Sequence, residues 1–179
     1  MKDRQVSTNF KLSEFIISES FEHIHKSKAI DIVTMLPFQI YLVEQLAQNL
    51  LQPIRDEFGP LQITSSYRND QIFNAMKLTG YKPSPTTDHS FGDQLVNWKG
   101  SGAADIVPLD AHIQDVFDWV ISMNLRCNQI IMYPDKGFIH IANPKHALFN
   151  GKLVEKLNLV SRKPRAIYED GKYTPYDRN

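Results

Sequence analysis

The chain has 179 residues, with 20 Lys and Arg against 20 Asp and Glu, 42% hydrophobic residues and one cysteine, Cys127. That length supports one globular domain with a sizeable core, and a formal net charge of zero without a basic block speaks against a surface built to grip nucleic acid or an anionic membrane. A lone cysteine excludes an internal disulfide and fits a reducing compartment; neither a secretory signal nor an apolar run of the ~18 residues needed to span a membrane is visible.

In chain order, Asn9 to Phe15 begins with alternating polar and apolar residues, and Ser13 is positioned to cap a short helical turn. From Pro37 to Glu57, Phe38, Tyr41, Leu42, Leu46, Leu50 and Ile54 recur at three- and four-residue steps, which predicts a helix with one apolar stripe. Pro53 predicts a kink in its last turn, and Phe58-Gly59-Pro60 ends it. Leu61 to Thr64 alternates as a strand, Asn69 to Leu78 reads as a short helix, and Thr79 to Gly102 reads as loop. Ala103 to Pro108 predicts a strand, and Asp110 to Met123 a helix with Ile113, Val116, Phe117, Val120 and Ile121 on one face. Gln129 to Tyr133 and Phe138 to Ala142 predict two strands joined by the turn Pro134-Asp135-Lys136-Gly137. The pattern is that of an α+β protein, with a small antiparallel sheet and packed helices in a domain spanning 1–142. Residues 143–179, interrupted by basic residues and prolines, form a C-terminal extension expected to wrap the surface or dock on a partner.

Three residues capable of ligating a metal stand at strand ends or in the loop before a strand: His89, Asp105 and His140. Two imidazoles and one carboxylate are the kind of set that a catalytic zinc takes, leaving a fourth position for water. Spacing alone also admits ordinary core or surface histidines. His23 and His25, two apart, and His112 and His146 have no partner at useful spacing and read as surface residues. Cys127 reads as a small buried hydrophobe.

Motifs along the chain carry a resemblance. Asn9-Phe10-Lys11-Leu12-Ser13-Glu14-Phe15, Asn49 to Gly59, Ile63-Thr64-Ser65-Ser66-Tyr67-Arg68, Asn74, Thr87-Asp88-His89, Ala103-Ala104-Asp105, Gln129-Ile130-Ile131 and Phe138-Ile139-His140-Ile141 arrive in the order found in the zinc D-Ala-D-Ala carboxypeptidase and endolysin family. The chain resembles the phage-type branch of that family over about three quarters of its length. The resemblance implies the Hedgehog/DD-peptidase fold, Zn2+ held by His89, Asp105 and His140, and a peptidoglycan stem peptide as substrate. It also implies that Arg68 lies in the cleft, where its guanidinium fork suits a carboxylate or developing oxyanion, and that Thr87 offers a hydroxyl to substrate or ligand. The chemistry would be amide hydrolysis by metal-activated water, with a carboxylate accepting the proton.

Three departures from the family pattern stand out. His89 and Asp105 are sixteen positions apart where the family has seven, so Asp93 to Gly102 reads as an insertion, and Asp88 or Asp93 are alternative carboxylates to Asp105. Gly100 and Gly102 allow a tight return from that loop, and Trp98 is placed to line the cleft. On the hairpin before His140, where the family carries its catalytic acid, Asp135 is the only carboxylate, and it also suits an ordinary turn. Ser66 replaces a glycine, and Arg68 has Asp70 as an alternative ion-pair partner. Two functions follow: a zinc metallopeptidase, a peptidoglycan hydrolase freed at lysis or carried in a virion, or a bacteriophage virion structural protein with the peptidase fold and degenerate catalysis, whose C-terminal extension contacts other virion proteins. A cleft that binds cell-wall peptide without hydrolysis is a third.

Overall fold

The computed structural model describes residues 3–16, 35–78, 80, 88–92, 101–144, 146–149, 152–155 and 165–176. Its described elements are mixed α+β, dominated by a six-stranded sheet. An N-terminal segment bridges Gln5 to Lys11 and turns through a short 3-10 stretch, Leu12–Phe15. There the Glu14 carboxylate accepts from the Lys11 amide, while Ser13 bonds Asp3, so Ser13 is not the cap.

The long helix predicted from Pro37 to Glu57 forms as α1 (Pro37–Leu46) and α2 (Gln52–Phe58), joined by a π-helical turn over Ala47–Leu51. Pro53 supplies no amide to the helical ladder, and the wider turn just before it, with the Gln52 N–H on the Ala47 carbonyl, relieves the conflict. Strand β1 (Leu61–Ser65) leads to helix α3 (Asp70–Leu78), whose first turn is capped by the Asn69 side chain accepting from the Ile72 amide at 2.9 Å. Strand β2 (Ala103–Pro108) precedes helix α4 (Ile113–Ser122), which starts three residues later than predicted because His112 occupies its N-cap. Strands β3 (Gln129–Tyr133) and β4 (Phe138–Ala142) fall where predicted, with Gly137 left-handed at φ +69° closing their turn.

Beyond β4, β5 (His146–Phe149) pairs with β6 (Lys152–Glu155) in a separate ribbon, and β7 (Arg165–Glu169) and β8 (Lys172–Pro175) follow. The six-stranded order is β1-β2-β4-β3-β7-β8, antiparallel except where β7 runs parallel to β3. The sheet is therefore mixed rather than purely antiparallel, and it continues past residue 142 into the segment read as an extension. Tyr176, just after β8, packs edge-on against Phe117 of α4 and bonds Asp118, tying that hairpin to the core.

Alternation divides the sheet into two faces, since cross-strand partners point the same way. One face carries Ile63, Ala104, Ile106, Ile130, Met132, Ile139 and Ile141 into the core with Leu46, Leu50, Ile54, Val116, Phe117 and Val120 from the helices. Asp105, His140 and Ile131 are cross-strand partners on the opposite face. Cys127 is half-buried beside the core, and burial pushes its thiol up to about 11, as suits a packing residue.

Because β7 covers the β3 edge, deleting residues 165–179 is expected to abolish cooperative unfolding or cause aggregation, an unpaired edge being a pairing site. Tyr176→Phe, which loses the hydroxyl bond to Asp118, is expected to cost about 1 kcal/mol. Thermal unfolding by circular dichroism checks both; a truncated chain that melts like the intact one would show that the hairpin adds nothing to the sheet.

Candidate metal centre

Asp105 lies directly opposite His140 in the β2–β4 register. Their side chains meet on the face away from the core, with His140 Nδ1 2.9 Å from Asp105 Oδ1. The third member comes from a loop. His89 sits in a short 3-10 turn, Asp88–Ser90, with Nε2 3.4 Å from the same carboxylate oxygen. One ligand atom from each of the three lies within 4.8 Å of the other two, the only such cluster of His, Cys, Asp or Glu among the described residues.

Several backbone ties fix that loop. The His89 carbonyl accepts from the Arg68 amide at 2.9 Å, and the Asp88 carbonyl accepts from the Gly102 amide at 3.0 Å. The Asp88 carboxylate accepts from the amide and hydroxyl of Ser101, so Asp88 holds the loop's return and does not join the cluster. His89 Nδ1 is 2.8 Å from the Ser66 carbonyl. A carbonyl only accepts, so Nδ1 carries the proton and the Nε2 lone pair faces Asp105. A bulge in β1 completes the arrangement. Ile63 pairs with Ile106 but Ser65 pairs with Asp105, leaving Thr64 as the extra residue and turning Ser65 to the Asp105 face.

Arg68 reaches into this corner. Its guanidinium donates to the Ser65 hydroxyl at 2.8 Å and lies 3.7 Å from Asp105 Oδ2, while its buried Nε has no hydrogen-bond partner among the described residues. The Asp70 pairing considered from sequence gives way to Asp105. Burial, followed by the Arg68 charge, lowers the pKa of His89, which keeps the imidazole neutral. Burial opposes ionisation of Asp105, but its polar neighbours, the hydrogen bond from His140 Nδ1–H among them, outweigh it and hold the carboxyl well below the usual carboxylate range. A neutral imidazole with an aimed lone pair beside an ionised carboxylate is the state in which these groups bind a cation.

The donor set fits a metal ion. An ion about 2.1 Å from tetrahedral ligands sets them about 3.4 Å apart, close to the 2.9 and 3.4 Å observed around Asp105 Oδ1. His140 would ligate through Nδ1 after moving its proton to Nε2. The residues therefore could hold a metal ion, with the Arg68 guanidinium on the far oxygen of Asp105.

Of the other residues expected at the site, Asp135 alone is among the described residues beside those above. Asp135 is exposed in the turn between β3 and β4, beyond the Tyr133 and Phe138 pair, and is not part of the cluster. Thr87, Asp93, Trp98 and Gly100 lie outside the described residues. Ser65 and Tyr133 were not anticipated from sequence: Ser65 because only the bulge brings it round, Tyr133 because a strand-end tyrosine carries no signal of its own. Tyr133 shares the face of His140, and burial, the Tyr173 hydroxyl and the Asp105 charge push its phenol above the ordinary tyrosine value, so it stays protonated.

No protein-family model, curated protein or solved structure matches the chain at a significant level.

Gly102 tests the loop anchor. It has φ +90°, and a Cβ there would meet the Phe91 ring at 2.7 Å. Gly102→Ala is expected to cost about 2 kcal/mol or more through backbone strain and overpacking, and to weaken metal binding by displacing the His89 turn. Denaturant unfolding and zinc titration read the two effects; wild-type values for both would mean the loop is not held this way.

Proposed function

We propose that the chain is a zinc-dependent hydrolase of the D-Ala-D-Ala carboxypeptidase and endolysin kind, with the Hedgehog/DD-peptidase fold, acting on amide bonds of peptidoglycan stem peptides. The observation that carries this reading is the convergence of His89, Asp105 and His140 on one point beside Arg68, all four belonging to the sequence motifs that carry the resemblance. In this reading His89 Nε2, Asp105 and His140 Nδ1 hold Zn2+, which when bound polarises the scissile carbonyl and acidifies water. Arg68, whose guanidinium lies 3.7 Å from Asp105 Oδ2, would offer positive charge to a substrate carboxylate or to the charge developing on the carbonyl oxygen. Ser65 holds the guanidinium in that pose, and the Ser66 carbonyl keeps the His89 tautomer fixed. A phage protein of this kind would be released at lysis or carried in the virion.

One observation favours a second reading. The hairpin that bears the family's catalytic acid has glycine at 137 and an exposed Asp135, so a virion structural protein that retains the metal without turnover fits the same centre.

Protein purified without chelator is expected to contain about one zinc per chain, and His140→Ala to contain none. Zinc-loaded protein is expected to release an amino acid or peptide from a muropeptide, with Arg68→Ala lowering kcat/KM by about 100-fold, as loss of an oxyanion donor does. Stoichiometric zinc without cleavage would select the structural reading, and no zinc in the intact protein would contradict both.

A further inference from the structure

The metal-bearing face does not end at His140. Asp105, His140, Ile131 and Ala166 are successive cross-strand partners on β2, β4, β3 and β7 and form one row across the sheet. Two residues along each strand, about 7 Å away, the next row on that face is aromatic. It consists of Phe138 on β4, Tyr133 on β3, Tyr168 on β7 and Tyr173 on β8. Ring centroids are 4.4 Å apart for Phe138 and Tyr133, 5.1 Å for Tyr133 and Tyr168, and 4.6 Å for Tyr168 and Tyr173. The Tyr133 and Tyr173 hydroxyls lie 3.4 Å apart. Lys136 stands 5.5 and 5.6 Å from the centroids of Tyr133 and Tyr168. None of the four rings is buried, and Tyr173 is 40% exposed on a strand whose residues are all exposed.

The strip is half-buried at Phe138, Tyr133 and Tyr168 and opens to solvent at Tyr173, beside the candidate metal site. Its chemistry narrows the occupant. Phe138 and Tyr133 stack face on face, which leaves Tyr168 and Tyr173 to meet a ligand: their rings carry partial negative charge on the face, which attracts the C–H face of a sugar ring, and their hydroxyls can bond its hydroxyl and acetamido groups. A nucleic-acid strand would also stack, but it needs a row of cations for its phosphates, and among the described residues Lys136 is the cation found against these rings, in a chain of zero net charge. The reach agrees as well. From β2 across β4, β3 and β7 to β8 is four strand spacings, about 19 Å, and Tyr168 stands about 14 Å from β2. An extended peptide of four or five residues spans about 13–18 Å. A stem peptide held at the metal would therefore bring its attached glycan to Tyr168 and Tyr173.

We propose that Tyr168 and Tyr173, reached along Phe138 and Tyr133, form a saccharide-binding subsite for the N-acetylated glycan strand, so that the C-terminal hairpin supplies one wall of the substrate cleft. The choice of glycan rests on the peptidoglycan reading above, but the subsite can be tested without it. The probe is a soluble N-acetylglucosamine hexasaccharide, which carries no peptide, titrated into the full chain with and without zinc and followed by calorimetry and NMR. Binding is expected in both states and is expected to weaken at least tenfold in Tyr173→Ala and in Tyr168→Ala. Lys172→Ala, on the other face of β8, is expected to bind normally. Tyr173 is exposed and its replacement should leave folding intact, which the melting curve checks if Tyr168→Ala proves unstable. No binding to the intact protein, or equal weakening in Lys172→Ala, would overturn the subsite even if zinc binds and muropeptides are cleaved. Binding that depends on the two tyrosines would uphold it even if no zinc is found, in which case the hydrolase reading alone fails.

Discussion

The pairing of β2 with β4 is the constraint on which the site depends. It sets Asp105 opposite His140 and, because side chains alternate across a strand, sends both away from the core while Ile106, Ile139 and Ile141 point into it. A slip of one residue would exchange these sets, burying a carboxylate among aliphatic side chains and exposing isoleucines. Such a state carries both an uncompensated buried charge and lost apolar burial, so the hydrophobic core enforces the geometry of the polar face. The core of this protein thus does more than stabilise it: the register that packs the isoleucines is the register that assembles the ligands.

His89 belongs to no strand and needs a separate means of placement. That is supplied by main-chain bonds to the segments on either side, from Arg68 before the loop and from Gly102 after it, with Asp88 gripping Ser101. These bonds fasten the segment's two ends together, at Asp88 where it leaves and at Ser101 and Gly102 where it returns. Gly102 permits this by combining a left-handed backbone with the absence of a Cβ under Phe91. The β1 bulge has a parallel role, turning Ser65 to the polar face where it steadies Arg68.

Much of this was legible in the sequence. The strands Ala103–Pro108, Gln129–Tyr133 and Phe138–Ala142 appear with the predicted limits, marked in the sequence by Gly102 and Pro108, by Pro134 and by Gly137. His89, Asp105, His140 and Arg68 were picked out by motif, and the structure brings them together. What sequence did not reveal depends on contacts distant along the chain. Nothing in Arg165–Glu169 announces that it lies parallel to β3, since five residues of mixed character specify a strand but not its neighbour. The π-helical turn before Pro53 and the bulge at Thr64 are local accommodations, which a hydrophobic pattern does not encode. Asp135 drew attention as the lone carboxylate on its turn, but the turn leads it into solvent.

The proposed centre places one metal ion on the face of the sheet that carries Asp105 and His140, beside His89. The most direct measurement is anomalous diffraction at the zinc edge from crystals grown with stoichiometric zinc. The account predicts one strong peak about 2.0–2.2 Å from His89 Nε2, an Asp105 carboxylate oxygen and His140 Nδ1. An empty cluster, with zinc absent or bound only at surface residues, would contradict it.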